Sequence, residues 1–129
     1  MGDAAAGRPE YVRPCAGGRA AGRGSGREVA GAVAYCPPFS RPRADFFDPG
    51  WPLIRMLVVA PQARGQGLGR SLTQACIDRA RRDDAAAIAL HTSPAMAVAL
   101  ALYLRMGFRL ERRVPDRFGV PYGVYLLDL

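Results

Sequence analysis

The chain contains no lysine: all 18 of its basic residues are arginine, against 11 acidic ones, for a net charge of +7. In a chain this rich in Ala and Gly, that pattern reads as the product of a GC-rich coding sequence. Part of the charge then reflects composition rather than a partner. The remainder still favours polyanions, a phosphorylated ligand or a nucleic acid, but charge alone is weak ground for a nucleic-acid partner and none is expected. Histidine occurs once, at His91, and the three cysteines Cys15, Cys36 and Cys76 are far apart. They form no zinc spacing, so no metal is expected. Their odd number argues against a disulfide framework and suits a reducing cytoplasm. No apolar run approaches the roughly 18 to 20 residues of a membrane span. MGDAAAGRPEYVRP lacks an apolar stretch of signal-peptide kind. A cytoplasmic protein without a membrane partner is the expectation.

What is present is enough for one folded domain: 129 residues, half of them hydrophobic. Residues 1–27 are mostly Gly, Ala and Arg, and GGRAAGRGSGR reads as a flexible charged segment, with Glu10–Arg13 its one strand-like stretch. The folded domain is expected over 28–129. Val29–Tyr35 reads as a strand, and Ile54–Val59, between Pro52 and Pro61, as a central strand buried on both faces. A helix is expected from Gly67 to Asp83, with Leu68, Leu72, Ala75, Cys76 and Ala80 on its buried stripe. Ala87–Thr92 reads as a second buried strand. A second helix follows over Pro94–Met106, with Ser93 as N-cap, Ala99, Leu102, Tyr103 and Met106 on one stripe, and Gly107 as its stop. Phe108–Arg113 and Tyr122–Leu129 read as closing antiparallel strands. The helical crossover makes the two central strands parallel, so the fold class is α/β.

The informative junction is Val59-Ala60-Pro61-Gln62-Ala63-Arg64-Gly65-Gln66-Gly67-Leu68-Gly69-Arg70-Ser71. A buried strand ends, a glycine-rich turn follows and a helix begins. Free amides and the positive end of the helix dipole suit a pyrophosphate there, with Arg64 and Arg70 at its edges. A phosphate loop of the Gly-Lys-[Ser/Thr] kind is excluded by the missing lysine. A dinucleotide fingerprint fails at Arg70 or Leu72, where it needs glycine.

The pattern Arg64-x-x-Gly67-x-Gly69 after Val59-x-Pro61 resembles the acetyl-coenzyme A motif of the Gcn5-related N-acetyltransferases (GNAT). Ala99-Leu100-Ala101-Leu102-Tyr103-Leu104-Arg105-Met106-Gly107-Phe108 resembles that family's A-x-x-L-Y-x-x-x-G-F block. The likeness is strong over residues 54–110 and weak over 28–36. It implies a mixed central sheet with splayed parallel central strands and flanking helices. Members usually begin with a strand and two helices; Glu10–Arg13 reads as a remnant of that strand, but residues 14–27 do not read as helices, so an incomplete N-terminal set is expected.

The resemblance further implies acetyl-CoA as cosubstrate. The backbone of Leu57, Val58 and Val59 would pair with its pantetheine arm. The amides of Arg64, Gly65, Gln66, Gly67, Leu68 and Gly69 would hold its pyrophosphate, with Arg70 and Ser71 flanking. Tyr103 would be the catalytic acid that protonates the departing thiolate. Met96 stands where the family often has an Asn, and the strand before V-x-P carries no carboxylate. Asp45, Asp48 and His91 remain candidates for a general base, His91 also reading as a structural residue beside the next helix. The activity implied is transfer of an acetyl group to a primary amine of a small molecule, peptide or protein. A catalytically weak or inactive acetyl-CoA-binding module is the alternative, and a basic nucleic-acid-binding protein the second. An open acceptor side leaves room for a second chain, a homodimer included.

Overall fold

Strands form where Val, Ala, Ile and Tyr run between prolines and glycines, and helices where apolar residues recur every three or four positions. The computed structural model describes residues 10–13, 19–25, 28–41, 43–117 and 119–129, with side chains from Ala30 onward except 42 and 116–118. The elements are β1 (Glu10–Arg13), β2 (Arg19–Ser25), β3 (Glu28–Cys36), β4 (Leu53–Val59), α1 (Leu68–Arg82), β5 (Ala87–Thr92), α2 (Ala97–Arg105), β6 (Arg109–Arg117) and β7 (Val120–Asp128). Among the described residues the strands make one sheet in the order β1-β2-β3-β4-β5-β7-β6. Among the described strands only the central β4–β5 pair is parallel, as the helical crossover requires. The mixed sheet with flanking helices is the expected one.

Four details depart from expectation. Residues 19–25, within the segment read as flexible, form a strand that pairs with β3 and with the strand read at 10–13. A ladder is made by backbone groups, and a Gly/Ala/Arg stretch can join one without a side-chain pattern to announce it. The flexible reading of residues 1–9, 14–18 and 26–27 falls outside the described residues. β4 is not buried on both faces: Leu53 and Ile54 are buried, whereas Arg55, Met56 and Val58 are exposed. Ala75 lies outside the buried stripe of α1, which instead includes Thr73 and Ile77. Finally, α2 starts at Ala97 rather than Pro94. Ser93 first closes a turn, its carbonyl accepting from the Met96 amide and its Oγ from the Ala95 amide.

Alternation along β5 builds a core on each side of the sheet. Ile88 and Leu90 face one cluster, with Leu68, Leu72, Cys76 and Ile77 of α1 and Tyr103 of α2. Ala87 and Ala89 face another, with Leu53, Val124 and Leu126. No helix covers this second face among the described residues. Phe46, Phe47 and Trp51, from the loop between β3 and β4, pack there instead. Cys76 is buried in the core, as its place on the helix stripe implied, and Cys36 is buried as well.

Candidate active site

β4 carries a bulge. Ala32 of β3 faces Val58 and Ala34 faces Arg55, so Met56 and Leu57 together stand opposite Val33. Met56 absorbs the extra residue at φ 57°, a left-handed conformation that costs a non-glycine residue about 1 kcal/mol or more. Bulges bend strands and re-aim them, and β4 leaves its parallel neighbour here. Its register with β5 is confined to Leu53 opposite Ala89, with the Ala89 amide donating to Pro52 O at 3.0 Å. From Arg55 to Val59 the β4 edge facing β5 has no ladder among the described residues. An open edge of this kind accepts an extended chain that carries amides of its own.

That edge runs directly into the glycine turn. After a 3-10 turn at Pro61–Ala63, Gly65 and Gly67 adopt φ 81° and 77°, and Gly67 is the N-cap of α1. A Cβ at either position would meet nothing within 4 Å. Glycine is therefore required by the backbone conformation and not by crowding. Among the described residues, none of the amides from Gly65 to Arg70 has an acceptor. No side chain caps the helix and no acidic residue sits in its first turn. The result is a set of free N–H donors at the positive end of a helix, edged by the exposed Arg64, Gln66 and Arg70. Gly69 serves packing: a Cβ there would lie 3.3 Å from Leu102 Cδ2. The Leu68 side chain belongs to the core, and the Ser71 amide is spent on Gly67 O at 3.0 Å. Of Ser71, only the side chain remains for a ligand.

Tyr103 is fixed by the end of its own helix. The Phe108 amide donates to Tyr103 O at 3.0 Å and the Gly107 amide to Leu104 O at 3.1 Å, with Gly107 at φ 103°. This is a Schellman closure, and the accompanying apolar contact is the Tyr103–Phe108 ring pair, 5.7 Å between centroids. The spacing Tyr-x-x-x-Gly-Phe is thus a local folding unit that pins the tyrosine. Tyr103 lines a cavity of about 520 Å³ where β4 and β5 part. Burial pushes its phenol up to about 12, so it keeps its proton across the neutral range.

The other side of the cavity joins His91 and Met96 to three aromatic residues that the sequence did not mark as site residues. Phe46 and Phe47 reach it from the β3–β4 loop and Tyr122 from β7. His91, of β5, stands between Phe46 at 5.0 Å and Tyr122 at 4.6 Å between ring centroids. The adjacent aromatic pair inside a Pro/Gly-rich loop was the signal available for Phe46 and Phe47. Met96 lines the cavity beside Thr92. Asp45 and Asp48 do not line it; Asp48 accepts the Gly50 amide at 2.8 Å within its own loop. Of the expected site residues, Leu57 and Tyr103 line this cavity, whereas Val58, Val59 and residues 64–71 are not part of its lining among the described residues, and the two loop carboxylates also stand outside it.

The Acetyltransferase (GNAT) family model matches residues 8–108. The chain belongs to the GNAT family. The match takes in both glycine-turn and Tyr103 blocks and begins ahead of β1. Mouse (Mus musculus) N-acetyltransferase 8B is 35% identical to this GNAT chain over 89 residues, covering 66% of the chain and 35% of that protein. The chain thus spans about a third of the length of the curated relatives it matches. A Gcn5-related N-acetyltransferase from Kribbella flavida superposes with a TM-score of 0.70 at 28% identity, covering 91% of this chain and 70% of that one. A GNAT family acetyltransferase from Elizabethkingia anophelis, solved with acetyl-CoA bound, shares the GNAT fold at a TM-score of 0.65 and 18% identity, covering 88% and 77%. No helix among the described residues is long and apolar enough to cross a membrane.

Proposed function

We propose that this GNAT chain is an acetyl-CoA-dependent N-acetyltransferase that acylates a primary amine by direct attack on the thioester. The observation that carries the reading is the continuity of an open strand edge with a turn of free amides. The β4 edge at Leu57–Val59, which has no strand beside it on the β5 side among the described residues, suits the amide-bearing pantetheine arm. The donors of Gly65–Arg70 suit the diphosphate, with Arg64 and Arg70 adding charge. The glycine cradle, empty on the Cβ side and free of carboxylates, fits that ligand.

Bound there, acetyl-CoA supplies an activated acyl group. Tyr103 is assigned the proton that the sulfur needs as the carbon–sulfur bond breaks, a role that its protonated, buried phenol can fill. The amine loses one proton on forming the amide, and the thiol gains one. His91, on the cavity wall, is the candidate to accept the amine's proton. The test is a thermal melt with acetyl-CoA against ATP and NAD, followed by thiol release across an amine panel. Selective stabilisation by acetyl-CoA with thiol release is the expected result. Stabilisation without release from any amine would make the protein a binding module, and no selective stabilisation would remove the reading altogether.

A further inference from the structure

The cavity beside the proposed thioester site has a chemical character of its own. Its rings form a tilted stack, Phe46–His91–Tyr122, with Phe47 4.9 Å from Phe46. Among the described residues its lining includes no Asp or Glu, and its charged members are Arg43 and Arg55. Arg43 is already spent: its five N–H donors go to Pro37 O, Ser40 O, Ser40 Oγ, Asp48 O and Trp51 O at 2.8 to 3.2 Å. Those bonds hold the loop that presents Phe46 and Phe47, so the aromatic side is formed before anything binds. Arg55 is exposed and contributes a positive charge at the rim.

Resting on the acyl-transfer reading above, we infer that the acceptor is a primary amine on a flat apolar body with no second positive charge. Rings bury such a body favourably. Two arginines and no carboxylate repel an acceptor that brings further ammonium groups. The same surroundings also disfavour the charged form of the one amine that must react, because desolvation and like charge both lower an ammonium's pKa. The cavity itself thereby does part of a general base's work, which fits the absence of a carboxylate from the lining.

The test compares 2-phenylethylamine with spermidine on the full chain, by thiol release at saturating acetyl-CoA and by the melting shift each amine gives with coenzyme A present. The expected result is a kcat/KM at least about tenfold higher for 2-phenylethylamine, the factor that burying part of a ring provides. A melting shift should be confined to that amine. Phe46→Ala should raise its KM about tenfold while the acetyl-CoA melting shift stays as in the parent. Phe46→Leu, which keeps the apolar bulk and guards against a folding failure, should show the same trend more weakly. Equal or better use of spermidine, or variants that leave the preference unchanged, would overturn the inference and leave acyl transfer standing. If no amine releases thiol, the transfer reading falls, and the melting shifts still decide: a shift by 2-phenylethylamine alone supports the inference, and equal shifts or none overturn it.

Discussion

Two glycines offer a matched pair for testing the cradle. Gly67, at the start of α1, and Gly119, in the β6–β7 turn, both adopt φ 77°, and a Cβ at either would meet nothing within 4 Å. Alanine at each therefore encounters backbone strain alone, about 1 to 2 kcal/mol for a left-handed residue. At about 2.1 cal/mol/K per residue, a chain of 129 residues loses about 4 °C in Tm for each kcal/mol. Both variants should melt about 4 to 8 °C lower by the same reckoning. Only Gly67 lies among the free amides, so only Gly67→Ala should weaken acetyl-CoA binding. Misaligning one charge-assisted bond to a phosphate is worth about 1.5 to 3 kcal/mol, a loss of roughly ten- to a hundredfold in Kd. Isothermal titration with acetyl-CoA measures this directly, with Gly119→Ala staying close to the parent. Equal Kd changes in the two variants would refute the cradle. An unchanged Tm in both would refute the strain argument.

Two further predictions follow from helix ends. Tyr103→Phe should lower kcat by about a hundredfold with little change in KM for acetyl-CoA, as loss of a proton donor does. Because burial holds the phenol up to about 12, above an ordinary value near 10, its stabilising contribution is complete below about pH 10 and is lost as pH rises towards 12. The variant's alkaline melting curve should therefore be flatter than the parent's. Asp84 closes α1 in the left-handed region at φ 58°, its amide donating to Arg81 O and that of Ala85 to Ala80 O. It is exposed and adds negative charge at the negative end of the helix dipole. Asp84→Gly should raise stability by about 1 kcal/mol, or about 4 °C, in thermal melts. A lower Tm would contradict it.

What the sequence made legible was local. The Tyr103–Phe108 block is a helix end whose hydrogen bonds all fall within six residues, so its spacing could be read directly. The glycine turn was equally readable, since positive φ selects the residue type at Gly65 and Gly67. The opening of β4 was not, because the apolar run Ile54–Val59 looks the same whether or not a strand follows alongside. Its bulge sits on Met56, which no sequence rule marks as a left-handed residue. The cavity wall was hidden for a different reason. Phe46, His91 and Tyr122 are far apart in the chain and meet only because β7 pairs with β5, setting His91 opposite Val124 and Thr92 opposite Gly123.

This division has a consequence for how the two halves of the site can vary. The proposed coenzyme half is built from backbone: strand-edge groups, turn amides and glycines whose side chains are absent. It tolerates changes of neighbouring side chains as long as the bulge and the turn persist. The proposed acceptor half hangs on one side chain, because Arg43 fixes the loop through all five of its donors, and a lysine, with three donors on one nitrogen, cannot span the same acceptors. With Phe46, Phe47 and Trp51 in place of a helix on that face of the sheet, the loop is at once the core's cover and the cavity's wall. A change in the loop that alters which amine fits must also repack the face beneath it. In the proposed site, acceptor choice and stability are therefore coupled, while coenzyme binding and stability are coupled only at the strained bulge and turn.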